Sequence, residues 1–145
     1  MAFLGLIIRR RLGSFDTECK RTGFKFWYRN PQTSSKESLG IAYKDGDSTK
    51  ILRPDFIFFS EEKGNVVADI IDPHGTQLAD SLSKIQGLAI YVETHPHLFR
   101  RVEVIAELRG KMRVLDLMRE NVRRATKEAR NAESLYASTI AGDYL

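Results

Sequence analysis

The sequence predicts an α/β (α+β) fold in which a mixed β-sheet is flanked by helices, and three patterns lead to that prediction. Two short runs of β-branched and aromatic residues, 56–59 and 66–71, flank a polar link with a glycine, which is typical of a β-hairpin. Residues 102–108 and 112–117 form a second apolar pair around a turn at 109–111. Between the two pairs, apolar residues recur on one helical face at Leu78, Leu82, Ile85, Ala89 and Val92.

The remaining elements follow from shorter signals along the chain. Residues 1–22 predict a helix that ends at Gly23, with four candidate core residues, Leu4, Ile7, Ile8 and Phe15. Residues 24–29 and 39–44 predict strands on either side of a loop rich in proline, serine and threonine, and 45–47 predict a turn. Residues 118–133 predict one highly charged surface helix, and the last twelve residues carry no clear signal.

Length and composition indicate one domain over residues 1–145, with a core at about 13–117 and a C-terminal helix and tail at 118–145. The net charge of +4 is compatible with a polyanionic partner. The single cysteine, Cys19, excludes an intramolecular disulfide and a cysteine-based zinc cluster. The apolar stretch 2–8 is too short to span a bilayer and precedes its arginines, so we expect a cytoplasmic protein without a membrane partner.

Carboxylates stand at the far ends of the first predicted hairpin. A two-residue turn at Lys63-Gly64 places Asp55 opposite Asp72, whereas a turn at Gly64-Asn65 places Asp55 opposite His74. Side chains paired across strands have Cβ atoms about 5 Å apart, so either register brings these three side chains together. Two carboxylates this close repel each other, and a divalent cation such as Mg²⁺ or Mn²⁺ would remove that repulsion.

The stretch Pro54-Asp55, followed by Asp72-Pro73-His74 on a neighbouring strand before a helix, resembles the PD-(D/E)xK nuclease superfamily. The blocks WYRNP, SLGIAY, RPDFIFF and DPHGTQLADSLSKIQGLAIY look like the C-terminal nuclease-like segment of DEAD/DEAH-box helicases related to the restriction subunit of type III restriction enzymes. This resemblance covers about residues 13–122. It implies a restriction-endonuclease-like fold with an αβββαβ core.

The resemblance also implies a function: metal-dependent endonucleolytic hydrolysis of DNA phosphodiester bonds, in restriction or phage defence, with Mg²⁺ or Mn²⁺ as cofactor. Asp55 and Asp72 would bind the metal together with the carbonyl oxygen of Pro73, and Glu18 would add an acid from the first helix. The family's lysine, two residues after the second acid, is His74 here. Either His74 or Lys84, from the following helix, would therefore supply the positive charge beside the phosphate.

Two other functions stay open from the sequence. The substitution at His74 favours a catalytically impaired relative that serves as a DNA-binding or protein-docking module. No GxxxxGKS or GxxxxGKT loop occurs, so such a module would work with a partner that carries the motor, a helicase/ATPase, or with a methyltransferase. A third hypothesis is an accessory protein that forms homodimers through residues 118–145.

Overall fold

A computed structural model describes residues 24–74 and 81–144, which fold around a six-stranded mixed sheet with the strand order β1-β4-β5-β6-β7-β8. The strands are β1 (Phe24–Arg29), β2 (Ile41–Asp45), β3 (Ser48–Leu52), β4 (Phe56–Glu62), β5 (Asn65–Pro73), β6 (Arg101–Leu108), β7 (Lys111–Asp116) and β8 (Gly142–Asp143). The helices are α1 (Ser81–Thr94), α2 (Glu120–Glu128) and α3 (Ala132–Ala137). The α/β class predicted from the sequence is therefore confirmed, whereas the predicted helix at 1–22 lies outside the described residues.

The central hairpin, β4–β5, adopts the first of the two predicted registers. Phe56 pairs with Ile71 and Glu62 pairs with Asn65, so the turn is Lys63-Gly64. These two turn residues have φ angles of 50° and 81°, and positive φ at both central positions is the backbone of a type I′ turn. Glycine adopts this conformation without a steric penalty, which is why a lysine-glycine pair can close the hairpin so tightly.

Helix α1 connects β5 to β6, and these two strands pair in parallel. Its apolar face packs on the sheet, because Ile85, Leu88 and Ala89 share one buried cluster with Ile70 of β5 and Val104 of β6. The predicted helical stripe is thus confirmed for the residues that the structure describes. The parallel pairing places the end of β5, and with it Asp72, next to the middle of β6.

A second hairpin, β2–β3, was only half predicted. The sequence predicts a strand at 39–44 and a turn at 45–47, but no strand was predicted at 48–52, where the structure has β3. This two-stranded sheet is separate from the large one and packs against α1. A Cβ placed on Gly87 would lie 2.2 Å from the Cβ of Tyr43, so glycine permits the close approach. Most of β3 is exposed, which removed the alternation that signals a half-buried strand.

The C-terminal region also differs from the prediction. The expected single helix at 118–133 is divided at residues 129–131, where Asn131 caps α3 by accepting a hydrogen bond from the Ser134 N–H. The last twelve residues join the sheet through β8, which pairs with β7. Arg113 fixes this segment by donating to the carbonyl oxygens of Tyr136, Ser138 and Ala141. None of the described helices is both long and apolar enough to cross a membrane.

Candidate functional site

An open cleft of about 270 Å³ lies where the end of β5 meets the β2–β3 hairpin and α1. The link between β3 and β4 contributes Arg53 and Asp55 to its wall, and β5 contributes Asp72 and Pro73. The remaining lining residues come from four further segments: Gln32, Ile51, Leu52, His74 and Lys84. Four of the five predicted site residues, Asp55, Asp72, His74 and Lys84, therefore line one cleft, as does Pro73. The fifth, Glu18, lies outside the described residues.

Asp55 and Asp72 are joined directly, as the confirmed register requires. The backbone N–H of Asp55 donates a hydrogen bond to Oδ1 of Asp72 at 2.9 Å. Two residues of the loop after β1 hold Asp55 in place: the Asn30 N–H donates to its carbonyl oxygen at 2.9 Å, and Gln32 Nε2 donates to its Oδ1 at 3.1 Å. The carboxylate that the sequence placed at a strand start is thus anchored by its neighbours.

The electrostatics of the pair are unfavourable for two ionised carboxylates. Burial raises the pKa of Asp55 above its ordinary value, and the negative charge of Asp72 raises it further. The nearby His74 and Arg29 lower the pKa of Asp55 in part. Asp72 itself is only 3% exposed, so little solvent screens it from Asp55. A bound cation would relieve this repulsion.

His74 faces Asp72 rather than the solvent. Its Nε2 lies 2.6 Å from Oδ2 of Asp72, which is within ion-pair distance. The two groups are not aligned as a hydrogen bond, however, and neither atom has a hydrogen-bond partner among the described residues. The contact is thus a close charge pair when the imidazole is protonated. The backbone fixes the position of His74, because its N–H donates to the Ile105 carbonyl oxygen at 2.7 Å.

Two buried polar groups near the cleft were not predicted from the sequence. Arg53 directly precedes Pro54-Asp55, and its Nε is buried without a hydrogen-bond partner among the described residues. Tyr136 comes from α3, and its hydroxyl is likewise buried and unpartnered in that part of the chain. Burial and the charge of Asp72 together raise the pKa of Tyr136 well above its ordinary value. The adjacency of Arg53 to Asp55 was the available signal, whereas nothing in the tail pointed to Tyr136.

Asp69 also interrupts the apolar pattern of β5, and the sequence left open whether it is a metal ligand or an inward acid paired with a base. It is 2% exposed, and Arg100 Nε donates to its Oδ1 at 3.1 Å. Arg100 also donates to the hydroxyl of Ser60. Asp69 therefore belongs to a buried ion pair on β5, and it is not among the residues that line the cleft.

The described part of the cleft offers few side-chain donors to a metal ion. Within residues 24–74 and 81–144, no group of three or more histidine, cysteine, aspartate or glutamate side chains is arranged to hold a metal ion. Two carboxylates remain, and Oδ2 of Asp72 is a buried oxygen that lacks a hydrogen-bond donor among the described residues. Magnesium commonly binds through one or two carboxylates together with water and substrate phosphates. The cleft suits that mode rather than a cage built from protein ligands alone.

Fold and site together define a mixed α/β protein that carries a carboxylate pair in an open cleft at the end of its central strands. The model of the YagJ family matches residues 12–145, and the chain therefore belongs to the YagJ family. It is similar to Protein YagJ of Escherichia coli (strain K12), at 53% identity over 130 residues, which cover 90% of this chain and 54% of that relative. The chain thus spans about half the length of this curated relative. No solved structure matches the chain.

Proposed function

We propose that this chain is a metal-dependent DNA endonuclease domain of the PD-(D/E)xK type that hydrolyses phosphodiester bonds. The observation that carries the proposal is the hydrogen-bonded pair of Asp55 and Asp72 in a cleft that Lys84 and His74 also line. Carboxylates and positively charged groups around one opening are what phosphodiester hydrolysis requires, because a cation must be held and negative charge develops on the phosphate.

The strand arrangement supports the finer fold of the proposal, a restriction-endonuclease-like core. Strands β1, β4 and β5 are sequential antiparallel neighbours in the large sheet, and α1 leads from β5 to its parallel neighbour β6. This is the βββαβ part of the expected αβββαβ order, with the β2–β3 hairpin inserted after β1. Asp55 and Asp72 lie at the ends of adjacent strands, where ligand sites of such sheets occur.

Five of the residues that line the cleft have a role in the proposed reaction. Asp55 and Asp72 would hold the metal through their carboxylates, with the Pro73 carbonyl beside them. When bound, the metal would activate water and neutralise charge on the phosphate. Lys84 carries a permanent charge into the same cleft from α1. His74 lies against Asp72, where an imidazolium would offset part of the excess negative charge.

The direct test is DNA cleavage by the purified protein in the presence of Mn²⁺ or Mg²⁺. We expect nicking or cutting by the wild type, and Asp55→Ala should remove it because the carboxylate pair is lost. Glu128→Ala is the matched control, since Glu128 is an exposed acid on α2 and should leave cleavage unchanged. Cleavage that survives Asp55→Ala would assign the activity to another site or to a contaminant.

One observation favours a second candidate, a catalytically impaired DNA-binding or protein-docking module. Oδ1 of Asp72 already accepts the Asp55 N–H, and its Oδ2 faces His74, so both of its oxygens have neighbours before a metal binds. A wild type that binds DNA but stays inert with every divalent metal would favour this module. The chain spans about half the length of its relative. The proposed module would therefore work with a helicase/ATPase or a methyltransferase as partner. A homodimer through residues 118–145 is a further part of the proposal.

A further inference from the structure

Arg53 lines the cleft, and its side chain contains a buried hydrogen-bond donor that has no acceptor among the described residues. Its Nε is buried and has no hydrogen-bond partner among the described residues, although the residue lines the same cleft as Asp55 and Asp72. Buried donors in folded proteins are nearly always paired, so an unpaired one points to a ligand or solvent that completes it. An arginine nitrogen makes this more telling, because the guanidinium carries a permanent charge.

The nearby carboxylates do not supply that acceptor. Oδ1 of Asp55 accepts from Gln32, and Asp72 uses one oxygen for the Asp55 N–H while the other faces His74. The backbone around Arg53 is held in place as well: Leu52 and Pro54 on either side are buried, and Gln32 Nε2 also approaches the Arg53 carbonyl oxygen at 3.4 Å. The backbone of Arg53 is therefore held at the wall of the cleft.

We propose that Arg53 forms a phosphate-binding subsite of this cleft, in addition to the positive charge that His74 or Lys84 would supply. The ligand class is a phosphate group, because its several oxygens can accept the guanidinium fork from one side while Lys84 borders the same cleft. This inference deepens the proposed function and rests on it for the reaction, but phosphate binding can be measured without any cleavage.

The test measures phosphate binding in metal-free buffer by isothermal titration calorimetry, with inorganic phosphate and a short DNA oligonucleotide as separate probes. Asp55→Asn should bind phosphate more tightly than wild type, since it removes a like charge beside the subsite. Adding Arg53→Gln to Asp55→Asn should weaken that binding about tenfold or more, because a charge-assisted hydrogen bond is lost. Arg124→Gln, on an exposed face of α2, is the control and should change the affinity less than about twofold.

The two probes distinguish the source of the phosphate. If adding Arg53→Gln to Asp55→Asn lowers the affinity for both probes, the subsite binds nucleic acid. If it lowers the affinity for inorganic phosphate alone, the subsite binds a small phosphate ligand. Absence of phosphate binding even in Asp55→Asn, or equal effects of Arg53→Gln and Arg124→Gln, overturns the inference. Since no metal is present, a failure of DNA cleavage would count against the proposed function alone. Circular dichroism and thermal melting of each variant separate a binding loss from misfolding.

Discussion

Replacing Asp55 by asparagine changes one charge of the cleft and little else. Asparagine keeps the size of the side chain and an oxygen that can accept the hydrogen bond from Gln32. The backbone N–H of residue 55, which donates to Asp72, is also unchanged. Any gain in stability in metal-free buffer therefore reports two costs of the charged Asp55 carboxylate, its burial and its repulsion by Asp72.

The magnitude follows from the register. The β4–β5 register ends at Phe56 and Ile71, and continuing it by one pair places Asp55 opposite Asp72. Side chains paired in this way have Cβ atoms about 5 Å apart. Two unit charges about 6 Å apart repel by about 3 kcal/mol at an effective dielectric constant of about 20. Asp55 is partly exposed and His74 lies beside Asp72, so screening reduces this to about 1 kcal/mol. We expect Asp55→Asn to be more stable than wild type by that amount without metal, which raises Tm by about 3 °C.

The stability difference between wild type and Asp55→Asn should also depend on pH. The pKa of Asp55 is raised above its ordinary value of 3.8, so the folded protein binds this proton more tightly than the unfolded chain does. The resulting stabilisation is complete below the unfolded pKa and is lost as the pH rises through the folded pKa. The stability of wild type relative to Asp55→Asn should therefore fall as the pH rises above 3.8 and through the raised pKa of Asp55.

The assay is urea unfolding with EDTA and with Mn²⁺, at several pH values. Without metal, Asp55→Asn should be the more stable protein, whereas Mn²⁺ should stabilise wild type much more and reverse the order. Asp72→Asn should likewise lose most of the metal response. Repulsion between Asp55 and Asp72 would be refuted if Asp55→Asn is less stable than wild type in EDTA, or if Mn²⁺ stabilises it as much as it stabilises wild type.

Three further predictions test the other parts of the site and fold. In the cleavage assay at about pH 8, His74→Lys should cleave DNA at least as fast as wild type, because lysine keeps its charge at that pH, and His74→Ala should be impaired. If Lys84→Ala is inactive and His74→Ala is unaffected instead, Lys84 is the essential cation. Tyr136→Phe should raise the free energy of unfolding by about 1 kcal/mol in a urea titration, since the buried hydroxyl has no described partner. A lower free energy of unfolding would contradict this prediction. Gly87→Ala should lower the free energy of unfolding by about 1–3 kcal/mol, because the added Cβ clashes with Tyr43. Helix propensity alone predicts an increase, so the sign of the measured change shows which of the two effects is larger.

Much of the main sheet, and the proximity of the two carboxylates, could be predicted from the amino-acid sequence. A hairpin register depends on the turn and on alternation along two neighbouring strands, which are local properties, so only two registers had to be considered. The positive φ angles of Lys63 and Gly64 select the one that places Asp55 opposite Asp72. Helix α1 was predictable for a similar reason, because its apolar stripe repeats over several turns.

The composition of the cleft was decided by the tertiary structure. The β2–β3 hairpin reaches the site because Gly87 admits Tyr43, two residues that are far apart in the chain and share no local pattern. That packing brings Arg53 and Lys84 to one opening. Tyr136 approaches Asp72 because Arg113 holds three carbonyl oxygens of the tail, a contact between distant segments. Local patterns thus predicted the strands of the two main hairpins, whereas long-range packing determined β3, β8 and the charged groups that meet in the cleft.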